Sequence, residues 1–201
     1  METYNLASAT KNIYNSGLNL FTLKTLRDIL EIGKESTLFS VIRRLTENEV
    51  LIKIEKNKYA LQNGRINDFA LANFIYQPSY ISFESALNFY GILSQFPYEV
   101  ASTTSKKPQQ KVFDDKIFSY IHLKKDLFWG YQKKEDFLIA LPEKALLDQL
   151  YLASKGLRKA DVDEYDFSLI NFKMLRKYLN KYPQTRQFMG TVKNLRKYIK
   201  Q

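Results

Sequence analysis

The chain has no cysteine and a single histidine, His122. Without cysteine there is no disulfide, no thiolate metal site and no thiol nucleophile, which fits a reducing compartment. One imidazole is too few for a histidine-based metal centre, and a Ser-His-Asp triad is a poor prospect. Glycine and proline are scarce, 7 and 5 in 201 residues, so long linkers have little room. No run approaches the roughly 18 uninterrupted apolar residues of a membrane span. The first residues, METYNLASATKNIYNSG, lack the basic start and apolar stretch of a signal peptide. No P-loop, Gly-x-Gly-x-x-Gly loop or His-Glu-x-x-His motif occurs. These absences predict a cytoplasmic chain with no membrane partner, cofactor or metal, and a length of 201 residues fits one or two domains.

Hydrophobic residues make up 45%, the proportion of a globular protein. Lysine and arginine number 31 against 21 acidic residues, a formal charge of +10. Residues 1–64 carry +2, residues 65–154 are neutral and residues 155–201 carry +8, with no acidic residue beyond Asp166. A nearly neutral body with a basic end favours polyanions or an acidic protein surface, against the plain alternative of a solvated basic face.

The first sixty residues predict three helices and a hairpin. Leu6, Ala9 and Ile13 space as one helix face, and Gly17 and Asn19 break it. Thr22 is placed to cap a helix over 23–32 that Gly33 would close. Ser36 or Thr37 opens a third helix, running to about Glu49, with Leu38, Val41, Ile42 and Leu45 on its inner face. Its outer face carries Ser36, Thr37, Ser40, Arg43, Arg44 and Glu47. LIKIEKNKYAL, residues 51–61, alternates around a basic tip of Lys56, Asn57 and Lys58. This order is that of a winged helix-turn-helix. Short polar groups and arginine on a helix can reach base edges in the major groove, and lysine at a hairpin tip can neutralise phosphates. The competing reading is a protein-binding winged helix with Arg43 and Arg44 merely solvated.

Residues 65–76 predict a helix, 82–91 a second with Ser82 as cap and Gly91 as stop, and 98–141 mostly strands. Pro142 opens a helix whose ALLDQLYLAS stretch is apolar nearly all round and therefore buried. Glu84, Glu143, Lys144 and Asp148 are the candidates for chemistry. None meets a second carboxylate or a histidine at a spacing that fixes a reaction, and Glu84 and Glu143 suit helix starts. No enzyme is expected, and His122 reads as a strand residue. After a helix over 168–182, a last one over about 185–200 sets Phe188, Val192, Leu195 and Ile199 against a stripe of Lys193, Arg196, Lys197 and Lys200. Such a stripe can follow a phosphate backbone, hold an acidic patch, or face water.

Several stretches together resemble the AbiEi antitoxin family: YISFESALNFYGIL (80–93), VFDDKIFSYIHL, LFWGY and LIALPEKALLDQLYL (138–152), preceded by VIRRLTENEVLIKIEKNKYAL (41–61). The likeness spans about residues 20–155, and its SALNFYG and PEKALLD blocks are specific only in combination. It implies an antitoxin of a type IV toxin–antitoxin system for phage abortive infection, encoded beside a nucleotidyltransferase-like toxin. It further implies repression of its own operon through inverted repeats, with a C-terminal domain that counteracts the toxin without requiring a stable complex. The recognition helix and wing would then be Ser36, Thr37, Ser40, Arg43, Arg44, Lys53, Lys56, Asn57 and Lys58. Glu49-Val50 stands where many members have glycine, so a different turn into the wing is expected.

The expected fold class is α+β: a winged helix-turn-helix over residues 1–64, then a mixed α/β domain over 65–201 ending in basic helices. The expected partners are double-stranded operator DNA and the toxin. The chain would be a monomer, or a dimer assembled on DNA, because inverted repeats take two copies. Two other classes stay open. One is an effector-responsive regulator unrelated to a toxin. The other is a metal-dependent nucleic-acid enzyme using Glu84, Glu143 and Asp148.

Overall fold

The computed structural model describes residues 5–195 and mixes helices with β-sheets. The chain divides into two compact units at Asn67/Asp68. Among the described residues, no helix is long and apolar enough to cross a membrane.

The first unit runs α1 (Leu6–Asn15), β1 (Leu20–Thr22), α2 (Leu23–Leu30), α3 (Glu35–Glu47), β2 (Leu51–Glu55) and β3 (Lys58–Leu61). Asn5 caps α1 by accepting from Ala7 and Ser8 N–H. Thr22 caps α2, its hydroxyl accepting from Thr25 N–H at 3.1 Å. The periodic apolar residues pack inward as their spacing predicts. Ala9, Ile13, Leu26, Leu30, Leu38, Val41, Ile42 and Leu45 form one core with Phe21, Leu51 and Tyr59. Each fully buried large side chain contributes about 1.5–3 kcal/mol.

Three local details depart from the sequence reading. β1 completes a three-stranded antiparallel sheet of order β1-β3-β2, pairing Phe21 with Tyr59. The stop of α2 is Glu31, in the left-handed region at φ 53°, and not Gly33. α3 begins after Lys34, with no side chain capping it, so neither Ser36 nor Thr37 opens it. At the far end of α3, Glu49 takes φ 56°. That conformation suits glycine, and an L-residue there costs about 1–2 kcal/mol. The turn before the hairpin is therefore made by glutamate in a glycine-like conformation.

The second unit is built on a six-stranded sheet of order β6-β7-β5-β4-β9-β8. The strands are β4 (Ser79–Ile81), β5 (Glu99–Thr104), β6 (Gln109–Phe113), β7 (Lys116–His122), β8 (Tyr131–Lys134) and β9 (Phe137–Ala140). β4 with β9 and β5 with β7 run parallel; the other neighbours are antiparallel. The helices are α4 (Asp68–Ile75), α5 (Phe83–Phe89), α6 (Pro142–Ala153), α7 (Phe172–Leu179) and α8 (Arg186–Lys193). Successive strand side chains point to opposite faces. On one face Tyr120 donates its hydroxyl to the Ala72 carbonyl of α4 at 2.7 Å. On the other Tyr80 reaches Asp148 of α6. α6 also packs against α5, α7 and α8.

Because α6 is surrounded, its charged residues are buried too. Lys144 and Asp148, one turn apart, are both fully buried and ion-paired. Asp148 Oδ1 also accepts the Tyr182 hydroxyl at 2.7 Å, and Oδ2 accepts Ser82 at 2.8 Å and Tyr80 at 3.4 Å. The Lys144 ammonium lies 5.2–5.6 Å from the ring centres of Trp129, Tyr182 and Tyr80. Gly130 makes room for its stem. Gly130 has φ 74°, and a Cβ there would lie 3.1 Å from Lys144 Cγ. Burial pushes the Lys144 ammonium below its ordinary pKa, against the opposing pull of Asp148. Burial, then the Asp148 charge, pushes the Tyr80 and Tyr182 phenols well up.

Two outcomes follow. Asp148→Ala leaves a buried ammonium without its counter-charge and is expected to cost about 3–5 kcal/mol in urea unfolding. The double replacement Lys144→Met with Asp148→Leu should recover much of that loss. For pH, the raised phenols contribute stability that is complete below the ordinary tyrosine value of about 10 and fades as pH rises through the folded-state values. The lowered Lys144 works in the opposite direction, one group against two. In an alkaline absorbance titration, Tyr80 and Tyr182 should ionise only as the fold opens.

Candidate nucleic-acid interface

α3 presents a continuous outer face. At about 100° per residue, Ser36, Phe39, Ser40, Arg43 and Glu47 fall within an arc of about 100°. All five are exposed. Thr37 and Arg44 flank this face and are half-buried. The inner stripe of Leu38, Val41, Ile42 and Leu45 explains the arrangement, because burying it turns the opposite side of the helix to solvent.

The Arg43 guanidinium is not bare. Its Nε lies 3.6 Å from Glu47 Oε1, with both side chains largely exposed. Such a pair contributes only about 0.3–0.5 kcal/mol and is easily exchanged for another acceptor. In the hairpin, Lys53, Lys56 and Asn57 are exposed, and Asn57 turns the tip at φ 61°. Lys58 differs. It is half-buried and its Nζ binds Glu55 Oε1 at 2.7 Å. Glu55 and Lys58 are also opposed in the register, next to a register shift between Lys53 and Glu55.

In the second unit Lys193 is exposed at the end of α8. Phe188 and Leu195 are buried and Val192 is half-buried, as their spacing predicts. Arg196, Lys197, Ile199 and Lys200 lie outside the described residues. The sequence reading passed over Phe39, an apolar residue off the core stripe and 41% exposed between Ser36 and Arg43. Its signal was the mismatch with the stripe. It also passed over exposed Lys24, in the first turn of α2, and Lys34, at the entry to α3.

The candidates for chemistry are held apart by other bonds. Glu143 Oε1 accepts the Asn171 N–H at 2.9 Å, ahead of α7. Glu84 binds Arg158, whose other nitrogen reaches Glu99 at 2.7 Å, and accepts from Gln149 at 2.7 Å. Asp148 belongs to the buried pair. Ser82 precedes α5 as expected, but its hydroxyl bonds Asp148 and makes no cap. His122 ends β7, exposed, with its Nδ1–H on the Lys106 carbonyl at 2.9 Å. Among the described residues there is no group of three or more His, Cys, Asp or Glu that could hold a metal ion.

Glu47→Gln is expected to leave stability nearly unchanged, within about 0.5 kcal/mol, because the pair is exposed. Thermal melts of the two proteins at equal salt check this.

Neither a family model nor a curated protein matches the sequence. Among solved structures the fold is similar to the crystal structure of the RV2827C protein from Mycobacterium tuberculosis. The TM-score is 0.59 at 16% identity, covering 89% of this chain and 72% of that one. At that identity the likeness is one of fold.

Proposed function

We propose that the first unit binds duplex DNA as a winged helix-turn-helix, and that the chain is an AbiEi-like antitoxin that represses its own operon. The observation that carries the DNA reading is the outer face of α3. It sets two serines, an arginine and an aromatic ring on one exposed arc, beside a hairpin with exposed Lys53 and Lys56. A helix of that kind fits the major groove. There the arginine pairs with guanine, serine bonds either kind of base, and an aromatic ring packs on a thymine methyl. Lys53, Lys56, Lys24 and Lys34 supply phosphate contacts, which fix orientation and carry no sequence information. With little net charge in this unit, affinity rests on these few lysines and specificity on α3.

The antitoxin half of the proposal is supported by the resemblance alone. Its two specific blocks fold as α5 and the start of α6. These are core elements, and PEKALLD contains the buried Lys144 and Asp148. The second unit would act on the toxin, and two copies would occupy one inverted repeat.

The test is fluorescence anisotropy on the chain's own promoter fragment. Arg43→Ala is expected to weaken binding by about 1–3 kcal/mol. Phe39→Ala should relax preference at a thymine position. Replacing Lys53 and Lys56 by glutamine should lower the salt slope by about one per lost phosphate contact, with little change in sequence preference. Unchanged affinity in the α3 variants removes the DNA reading. The antitoxin half fails if co-expression of the chain does not restore growth to cells making the product of the adjacent gene.

A further inference from the structure

The six-stranded sheet is nearly split between β4 and β9. These parallel neighbours pair at one position only, Ile81 with Ile139. Ahead of it, Asn73 of α4 spans the two backbones. Its Oδ1 accepts the Leu138 N–H at 2.6 Å, and its Nδ2 donates to the Ser79 carbonyl at 3.4 Å. A side-chain amide thus replaces the ladder, and a cavity of about 460 Å³ opens beside it. That volume lies in the range of small-molecule sites, about 300–1,000 Å³. Residues from both faces line it because the ladder is interrupted there. Ser79 shares its face with Ile81, whereas Tyr131 stacks on Tyr80, which points the other way.

The lining has three chemical parts. The rings of Phe128 and Tyr131 lie 5.5 Å apart, and Tyr131 is stacked on Tyr80 at 4.6 Å and 20°. The planes of Phe128 and Tyr131 are tilted by 57°, so the two rings form an aromatic corner into which one edge of a planar ring fits. Ser79 is 97% buried and, among the described residues, its hydroxyl has no hydrogen-bond partner. A buried polar group in that condition calls for an acceptor or donor from a ligand or solvent. Gln77, exposed at the rim, adds an amide. The charge comes from Lys106, exposed, with its ammonium 5.9 Å from the Tyr76 ring centre. The lysine backbone is fixed on both sides. Its N–H donates to Thr104 Oγ1 at 3.2 Å, and its carbonyl accepts from His122. None of the lining residues is acidic, so no carboxylate of the wall cancels the ammonium.

We propose that this cavity binds a planar aromatic anion of small-molecule size, its ring against Phe128 and Tyr131, its polar edge on Ser79, and its charge on Lys106. The inference is independent of DNA binding by the first unit. The shared chemistry fits an aromatic carboxylate or a mononucleotide, and the experiment separates the two.

The full-length protein is titrated with indole-3-carboxylate and with adenosine 5′-monophosphate, each beside its neutral analogue, indole-3-carboxamide or adenosine. Binding is read by calorimetry and by the fluorescence of Trp129, the one tryptophan of the chain, which adjoins Phe128. At least one anion is expected to bind with a dissociation constant below about 1 mM and about tenfold more tightly than its neutral analogue. The anion that does so identifies the source. Lys106→Gln should abolish the preference for charge, and Tyr131→Leu should weaken charged and neutral forms alike by about tenfold. Both side chains are exposed, and thermal melts confirm that the variants fold. The proposal is overturned if neither anion binds in that range, if the neutral analogues bind equally well, or if both variants bind as the parent does.

Discussion

The buried Lys144–Asp148 pair is the constraint on which the second unit depends. A carboxylate removed from water must have its oxygens satisfied, and here four groups do so: Lys144, Tyr182, Ser82 and Tyr80. These come from α6 itself, from the segment after α7, and from β4 and the position that follows it. One charge therefore ties the sheet to two parts of the helical layer. Apolar contacts could hold the same elements at least as strongly, but they would tolerate sliding. Hydroxyls converging on two oxygens favour the observed register of α6 against β4. The lysine adds a second requirement, since its stem needs the space left by Gly130 and its ammonium needs the rings of Trp129, Tyr80 and Tyr182. The pair then acts as a positioning device whose electrostatic gain is largely offset by desolvation.

The first unit works by the opposite principle, with its polar residues outside. Its core is formed by three helices and a small sheet, and the proposed contact surface is what remains after the apolar stripe of α3 is buried. The surface charges are lightly held. Arg43 shares a long, exposed contact with Glu47, while Lys58 is closer to its partner and half-buried. In the proposed complex the two cations would differ in what a phosphate or a base must displace, and Arg43 would be the easier one to recruit. On the proposed DNA-binding face Phe39 would add an apolar group, of the kind that packs on a thymine methyl, among otherwise polar contacts.

Much of this was legible in the sequence where the signal is local. The stripe of α3, the cap at Thr22, the proline that opens α6 and the burial of that helix all follow from spacing and residue type within one element. The α+β class follows from the same signals. Other features were hidden for physical reasons. β1 has three residues, too few for alternation to show. Glu31 and Glu49 occupy left-handed conformations that favour glycine, where the sequence reading expected a stop at Gly33 and a different turn at Glu49-Val50, and only the surrounding fold imposes them. Lys144 and Asp148 stand at helical spacing in a helix read as buried, yet nothing local says which groups satisfy them there, because the hydroxyls that hold Asp148 lie as far away as Tyr80, 68 residues off. The amide bridge made by Asn73 likewise joins residues from three elements.

The outermost strands of the large sheet carry a further consequence. β8 is exposed along its whole length and contains Lys133 and Lys134, and the second of these lies 4.6 Å from the Phe89 ring centre. A strand on the rim of a sheet offers unpaired amides and carbonyls to any other chain, and lysine there disfavours such growth. Lys133 and Lys134 thereby stand where positive charge disfavours the joining of separate copies edge to edge.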